Sequence, residues 1–164
     1  MTRIARHRIV LAQLSDASAI SRMSRDYVEQ GLGWNWTPTR VVRSIRDRAT
    51  NVAVVREGGS VLGFGIMKYG DDVAHLHLLA VHRAQRRRGI AAALLAWLEA
   101  SARTAGVEKI RVEARLLNHA ARAFYRSGGY QEVELLAGYY RGAEDAVRME
   151  KRLWADSGTG LVAE

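Results

Sequence analysis

Two segments with strand character, Val73–His82 with its apolar run Leu76–Val81 and the alternating Lys109–Leu116, flank a long amphipathic helical pattern over Ile90–Ala105 in this chain of 164 residues. A strand, a helix and a second strand in that order make a crossover unit with the strands parallel, a connection no hairpin can supply. The loop that opens the helix reads Arg86-Arg87-Arg88-Gly89-Ile90-Ala91. The first turn of a helix leaves N–H groups without partners and carries partial positive charge, so it accepts phosphate. Gly89 lets the main chain turn and an anion come close, Ala91 keeps the first turn free of bulk, and the three arginines add charge for a polyanion.

The remaining pattern fits around that unit. Arg8–Leu14 reads as a first strand, and Ser15 or Asp16 caps a helix with Ile20, Met23 and Tyr27 on one face. The segment Gly31–Pro38 breaks it, and Pro38 suits the first turn of a second helix that buries Val41, Val42 and Ile45. Strands Asn51–Arg56 and Ser60–Tyr69 are joined through Gly58-Gly59, a hairpin signal. The long helix ends near Gly106, Asn118 caps a short helix closed by Gly128-Gly129, and Tyr130–Ala137 and Ala146–Leu153 are the last strands. The order is βααβββαβαββ, a mixed α/β fold in which an antiparallel meander precedes the crossover. Residues 1–154 are expected to form one domain and 155–164 a flexible tail.

The formal net charge is +8, and there is no cysteine. Disulfides, a thiolate nucleophile and thiolate metal sites are therefore excluded. No apolar run approaches the roughly 20 residues that span a bilayer, and the basic N-terminus precedes too short an apolar stretch for a signal peptide. A cytoplasmic protein is expected. A nucleic-acid binder would use such charge, yet the arginines are dispersed and only Arg83–Arg88 is dense.

The basic loop resembles the acyl-CoA pyrophosphate loop (Arg/Gln-x-x-Gly-x-Gly/Ala) of the GNAT acetyltransferase superfamily. Asn118-x-x-Ala121-x-x-Phe124-Tyr125 is similar to that family's second motif. Val112-Glu113-Ala-Arg115-x-x-Asn118 and Tyr139-Tyr140-x-x-x-Glu144-Asp145-Ala146 look like the bacterial ribosomal-protein N-terminal alanine acetyltransferases, a branch that acetylates protein α-amines. The resemblance implies the GNAT fold, with central parallel strands splayed at one end, and acetyl-CoA as cofactor. It places Leu79, Ala80, Val81, Arg86–Ala91, Asn118, Ala121 and Tyr125 beside the cofactor. Glu113 falls at the general base and Tyr125 at the acid that protonates the departing thiolate. Tyr139 and Tyr140, on the loop between the last strands, would wall the acceptor groove opposite Trp34 and Trp36. The chain departs from the family in the strand feeding the basic loop, which has His75 and His77 in place of a carboxylate.

Those histidines share a face with Leu79 and Val81 by simple alternation, lining the cleft or serving as a reserve base; no third ligand accompanies them, so no metal is expected. Glu113 could equally be a surface carboxylate paired with Arg111 or Arg115. Trp34 and Trp36 read either as acceptor contacts or as lid aromatics. An α-amine, with a reference pKa of about 8 against about 10.4 for lysine, needs only a modest base. The acceptor that the resemblance implies is a protein N-terminus, with a polyamine, amino acid or antibiotic as alternatives. A nucleic-acid module and an acyl-CoA sensor are the readings outside catalysis, and a monomer or homodimer is expected.

Overall fold

A computed structural model of the protein describes residues 8–154, and the tail expected at 155–164 lies outside them. One sheet contains β1 (Ile9–Leu11), β2 (Thr50–Glu57), β3 (Ser60–Tyr69), β4 (Val73–Val81), β5 (Lys109–Arg115), β6 (Gln131–Tyr140) and β7 (Glu144–Arg152). Their spatial order is β1-β2-β3-β4-β5-β7-β6. Helix α1 (Ala17–Met23), continued by a π turn over Ser24–Val28, packs with α2 (Pro38–Arg46) on one face; α3 (Ile90–Ala105) and α4 (His119–Ser127) pack on the other. The element order expected from the sequence is the one observed.

Periodicity explains the layers. Ile90, Leu94, Leu95, Leu98 and Ala102 recur at helical spacing and are buried, so α3 lays a continuous apolar stripe on the sheet. Gly65 on β3 allows the close approach: a Cβ there would lie 2.7 Å from Leu98 Cδ1. On the opposite face Ile20 and Val41 from the helices meet Val52, Val54, Phe64 and Ile66 from β2 and β3.

Four details differ from the pattern read along the chain. β1 stops at Leu11, because the Asp16 carboxylate accepts from the Gln13 N–H at 2.7 Å and turns the chain into a helical turn at Leu14–Asp16. β6 and β7 extend towards each other until Tyr140 pairs with Glu144. Tyr139 and Tyr140 therefore end a strand instead of lying on a loop. The fourth difference is in β4. Ile66 pairs with Leu78 but Met67 pairs with Leu76, so His77 is one residue more than β3 can match.

Such a bulge inverts the side-chain alternation beyond it. Ala74 and Leu76 pack in the cluster under α3, whereas Leu78 and Ala80 pack in the cluster under α1 and α2. Leu79 and Val81 take the α3 face, and His77 turns to Trp36 on the other. The histidines thus do not share a face with Leu79 and Val81. Parallel pairing of β4 with β5 runs from Val73–Lys109 to Leu76–Val112 and ends there, so the central strands splay.

Asp16 ties the start of α1 to β2. Its carboxylate accepts from Arg56 Nε at 3.0 Å and Nη2 at 2.8 Å. Burial opposes ionisation there, but the guanidinium and the Gln13 N–H prevail and hold its pKa below the usual carboxylate range. A depressed folded-state pKa contributes stability above the unfolded value that is lost as pH falls through the folded one. Asp16→Asn should lower the unfolding free energy by about 2 kcal/mol at neutral pH. In urea titrations that deficit should shrink once the pH drops below about 4.

Candidate active site

Past the bulge, β4 has one edge without a partner strand. The His82 N–H donates to Leu62 O at 2.7 Å. Counting back along that register puts Leu78 and Ala80 in hydrogen bonds with β3 and turns the N–H groups of Leu79 and Val81 into the opening. Ala80, expected beside them, gives its backbone to β3 and its methyl group to the core.

The chain leaving β4 forms a tight turn at Arg83–Gln85, where His82 Nδ1 accepts from the Ala84 N–H at 3.2 Å. Arg87 and Gly89 follow with φ of 66° and 77°. Gly89 is the N-cap of α3 and offers no capping side chain, so the first N–H groups of the helix stay open. A Cβ on Gly89 would meet nothing within 4 Å, so the space beside those groups is clear. Ile90 contributes backbone only, its side chain being buried in the core. Arg86 and Ala91 line the cleft, while Arg87 and Arg88 are exposed. An uncapped helix start, a glycine approach and nearby cations fit a diphosphate such as that of an acyl-CoA.

A cavity of about 680 Å³ runs from this helix start through the opening in the sheet. Asn118 stands on one wall and caps α4, its Oδ1 accepting from the Ala121 N–H at 3.0 Å. Ala121 and Tyr125, one helical turn apart, also face the cavity. The Tyr125 ring is packed edge-on against Phe124 and Tyr130, and its hydroxyl bonds to none of the described residues. Burial, with Tyr140 nearby, pushes the Tyr125 phenol above its ordinary pKa, so it holds its proton at neutral pH.

Glu113 lies at the centre of β5, with its side chain 5 % exposed. Its partners are neither Arg111, which pairs with Glu150, nor Arg115, which pairs with Glu144. Oε1 instead accepts from Arg148 Nε at 3.1 Å, directly across on β7. Oε2 bonds to His75 Nε2. Burial alone would raise the Glu113 pKa, but His75 and Arg148 together hold it below the ordinary carboxylate value. The His77 ring lies 4.4 Å from the His75 ring, and burial, His75 and Arg40 lower the His77 pKa to about 4, leaving it neutral.

The far end of the cavity joins segments remote in sequence. Tyr139, Tyr140 and Trp36 line it. Trp34 does not: its indole N–H donates to Ser21 O at 3.3 Å and its ring lies beside the Arg25 guanidinium, which holds it outside the cleft. Glu29, which no sequence pattern singled out, is buried and accepts from Ser24 Oγ at 2.9 Å and the Asn35 N–H at 2.8 Å, shaping the loop that carries Trp36. Arg115 crosses from β5 to donate to Val28 O at 3.0 Å and Gln30 O at 2.6 Å. The Arg141 guanidinium rests on Gly33, where an added Cβ would push it aside.

The sequence and the fold are similar to those of known proteins. The sequence model of the acetyltransferase (GNAT) family matches residues 18–130. The chain is 35 % identical over 121 residues to the N-alpha-acetyltransferase RimI of Mycobacterium tuberculosis, covering 71 % of this chain and 75 % of that protein. It is 36 % identical over 119 residues to an uncharacterized N-acetyltransferase of Methanocaldococcus jannaschii, covering 70 % and 75 %. The crystal structure of the ribosomal-protein-S18-alanine N-acetyltransferase from Escherichia coli superposes with a TM-score of 0.79 at 24 % identity, over 93 % of this chain and 97 % of that one. At that identity the superposition speaks for the fold.

Gly89→Val places a β-branched residue at positive φ and must displace the open N–H groups. Calorimetry should show acetyl-CoA affinity reduced by about tenfold or more; undiminished affinity would place the diphosphate elsewhere.

Proposed function

The chain belongs to the acetyltransferase (GNAT) family, and on that premise we propose that it transfers the acetyl group of acetyl-CoA to the N-terminal α-amine of a polypeptide. The observation that carries the choice of acceptor is the His75–Glu113 pair, an imidazole hydrogen-bonded to a carboxylate in the cleft wall. Either member is a modest base, suited to an amine that is partly neutral already and unsuited to lysine. Similarity to an N-alpha-acetyltransferase over 71 % of the chain supports the same acceptor.

In this reading the open N–H groups at the start of α3, with Arg86, hold the diphosphate. The Asn118 amide faces the pantetheine arm, and the N–H groups of Leu79 and Val81 receive the thioester carbonyl and stabilise negative charge on its oxygen. Tyr125, kept protonated by burial, gives its proton to the leaving sulfur. Glu113 belongs to the group that removes a proton from the acceptor amine. Trp36, Tyr139 and Tyr140 form the acceptor walls, and no acyl-enzyme through cysteine is possible.

Purified protein with acetyl-CoA should acetylate peptides bearing a free N-terminus and spare the same peptides when that amine is blocked but lysine is free, as read by mass spectrometry. Turnover of a polyamine or aminoglycoside without peptide turnover would reject the α-amine reading. Tyr125→Phe should lower kcat by about 10²–10⁴ while acetyl-CoA affinity is retained; an unaltered kcat would remove Tyr125 from the acid role.

A further inference from the structure

Glu113 sits at the position expected for a base, yet it is poorly placed to receive a proton. Its side chain is 5 % exposed, and each oxygen already accepts a hydrogen bond, one from Arg148 and one from His75. His75 is the reachable member of the pair. Its side chain is 33 % exposed and lines the cavity. An ionised carboxylate only accepts, so the ring proton of neutral His75 sits on Nε2 and the lone pair on Nδ1. Nδ1 bonds to none of the described residues.

We infer that His75 is the group that takes the proton from the acceptor amine, and that Glu113 is its positioning residue. This rests on acetyl transfer to an amine in this cleft, not on which amine is used. An acceptor arriving as an ammonium ion gives one proton to Nδ1, and its freed lone pair forms the C–N bond to the thioester carbonyl carbon. The C–S bond breaks with its electron pair going to sulfur, which takes the Tyr125 proton. The second proton lost from nitrogen restores the Tyr125 phenol, and the His75 proton leaves to solvent. The balance is an amide, a thiol and one released proton.

The surroundings can hold that transient charge. Arg148 is shared by Glu113 at 3.1 Å and Glu134 at 3.2 Å, so two carboxylates face one guanidinium and leave a negative charge beside the imidazole. Lys68 on β3 and Arg111 on β5 stand opposite His75 in register, but Arg111 is engaged by Glu150. From the remaining elements, Arg40 on α2 lies over the Trp36 ring and Tyr139 on β6 stands near Glu113. His77, stacked on His75, stays uncharged.

The test compares His75→Gln, which keeps a donor for Glu113 but has no basic nitrogen, with Glu113→Gln, using whichever amine the wild-type protein acetylates. His75→Gln should lower kcat by about 10²–10⁴ with acetyl-CoA affinity retained. Glu113→Gln should cost about tenfold and keep the acidic limb of the kcat/KM profile, because the proton acceptor remains and only its positioning partner is altered. If Glu113→Gln instead abolishes that limb, or His75→Gln stays within threefold of wild type, Glu113 is the base and the inference fails. Long-range ¹H–¹⁵N spectra of the wild-type protein should show His75 protonated on Nε2. A proton on Nδ1 overturns the assignment whichever acceptor proves correct.

Discussion

Hydrogen bonding between β4 and β5 ends at Leu76 and Val112 because the next residue, His77, has no counterpart on β3. That single surplus residue decides several things together. It exchanges the faces of β4, so one strand supplies Leu76 to the core under α3 and Leu78 to the core under α2. It leaves the Leu79 and Val81 N–H groups without a neighbouring strand, and unpaired backbone donors persist only where solvent or a ligand can satisfy them. It also sets His77 between Trp36 and His75, on the wall of the cleft. Opening, donor row and aromatic wall share one cause.

The charge of the cleft follows a related economy. Several of the chain's cations are committed to carboxylates that are buried or nearly so: Arg56 to Asp16, Arg148 to Glu113, Lys151 to Glu99. Such pairs fix geometry more than they add stability, since desolvation offsets most of the attraction. The open helix start, with Arg86 beside it, gives the cavity a positive end. The alternative of a nucleic-acid module rested on total charge, and the distribution of that charge favours a single small polyanion.

Most of the architecture was legible along the chain because periodicity and punctuation agree. Helical spacing marks α3, Gly58-Gly59 marks the first hairpin, and Asn118 marks the α4 cap, each being local. The basic loop with its glycine was legible for the same reason. What alternation misjudged was β4, because a bulge is a mismatch between two strands and neither strand's own sequence records it. Arg148 escaped notice likewise: its link to Glu113 exists only through the β5–β7 register, 35 residues away in sequence. Trp34 and Trp36 look equivalent on paper, and only the Glu29-centred loop turns the second inward and leaves the first 39 % exposed.

The reach of Arg115 bears on how the molecule comes together in time. Its guanidinium bonds to Val28 O and Gln30 O across 87 and 85 positions of chain. Closing so long a loop carries an entropic cost before any contact repays it, and topologies rich in remote contacts mature slowly. The meander of β2, β3 and β4 can assemble from near neighbours, but the cleft has no second wall until β5 docks. The cleft is therefore complete only where β5 lies against β4 and Arg115 reaches back to the loop after α1.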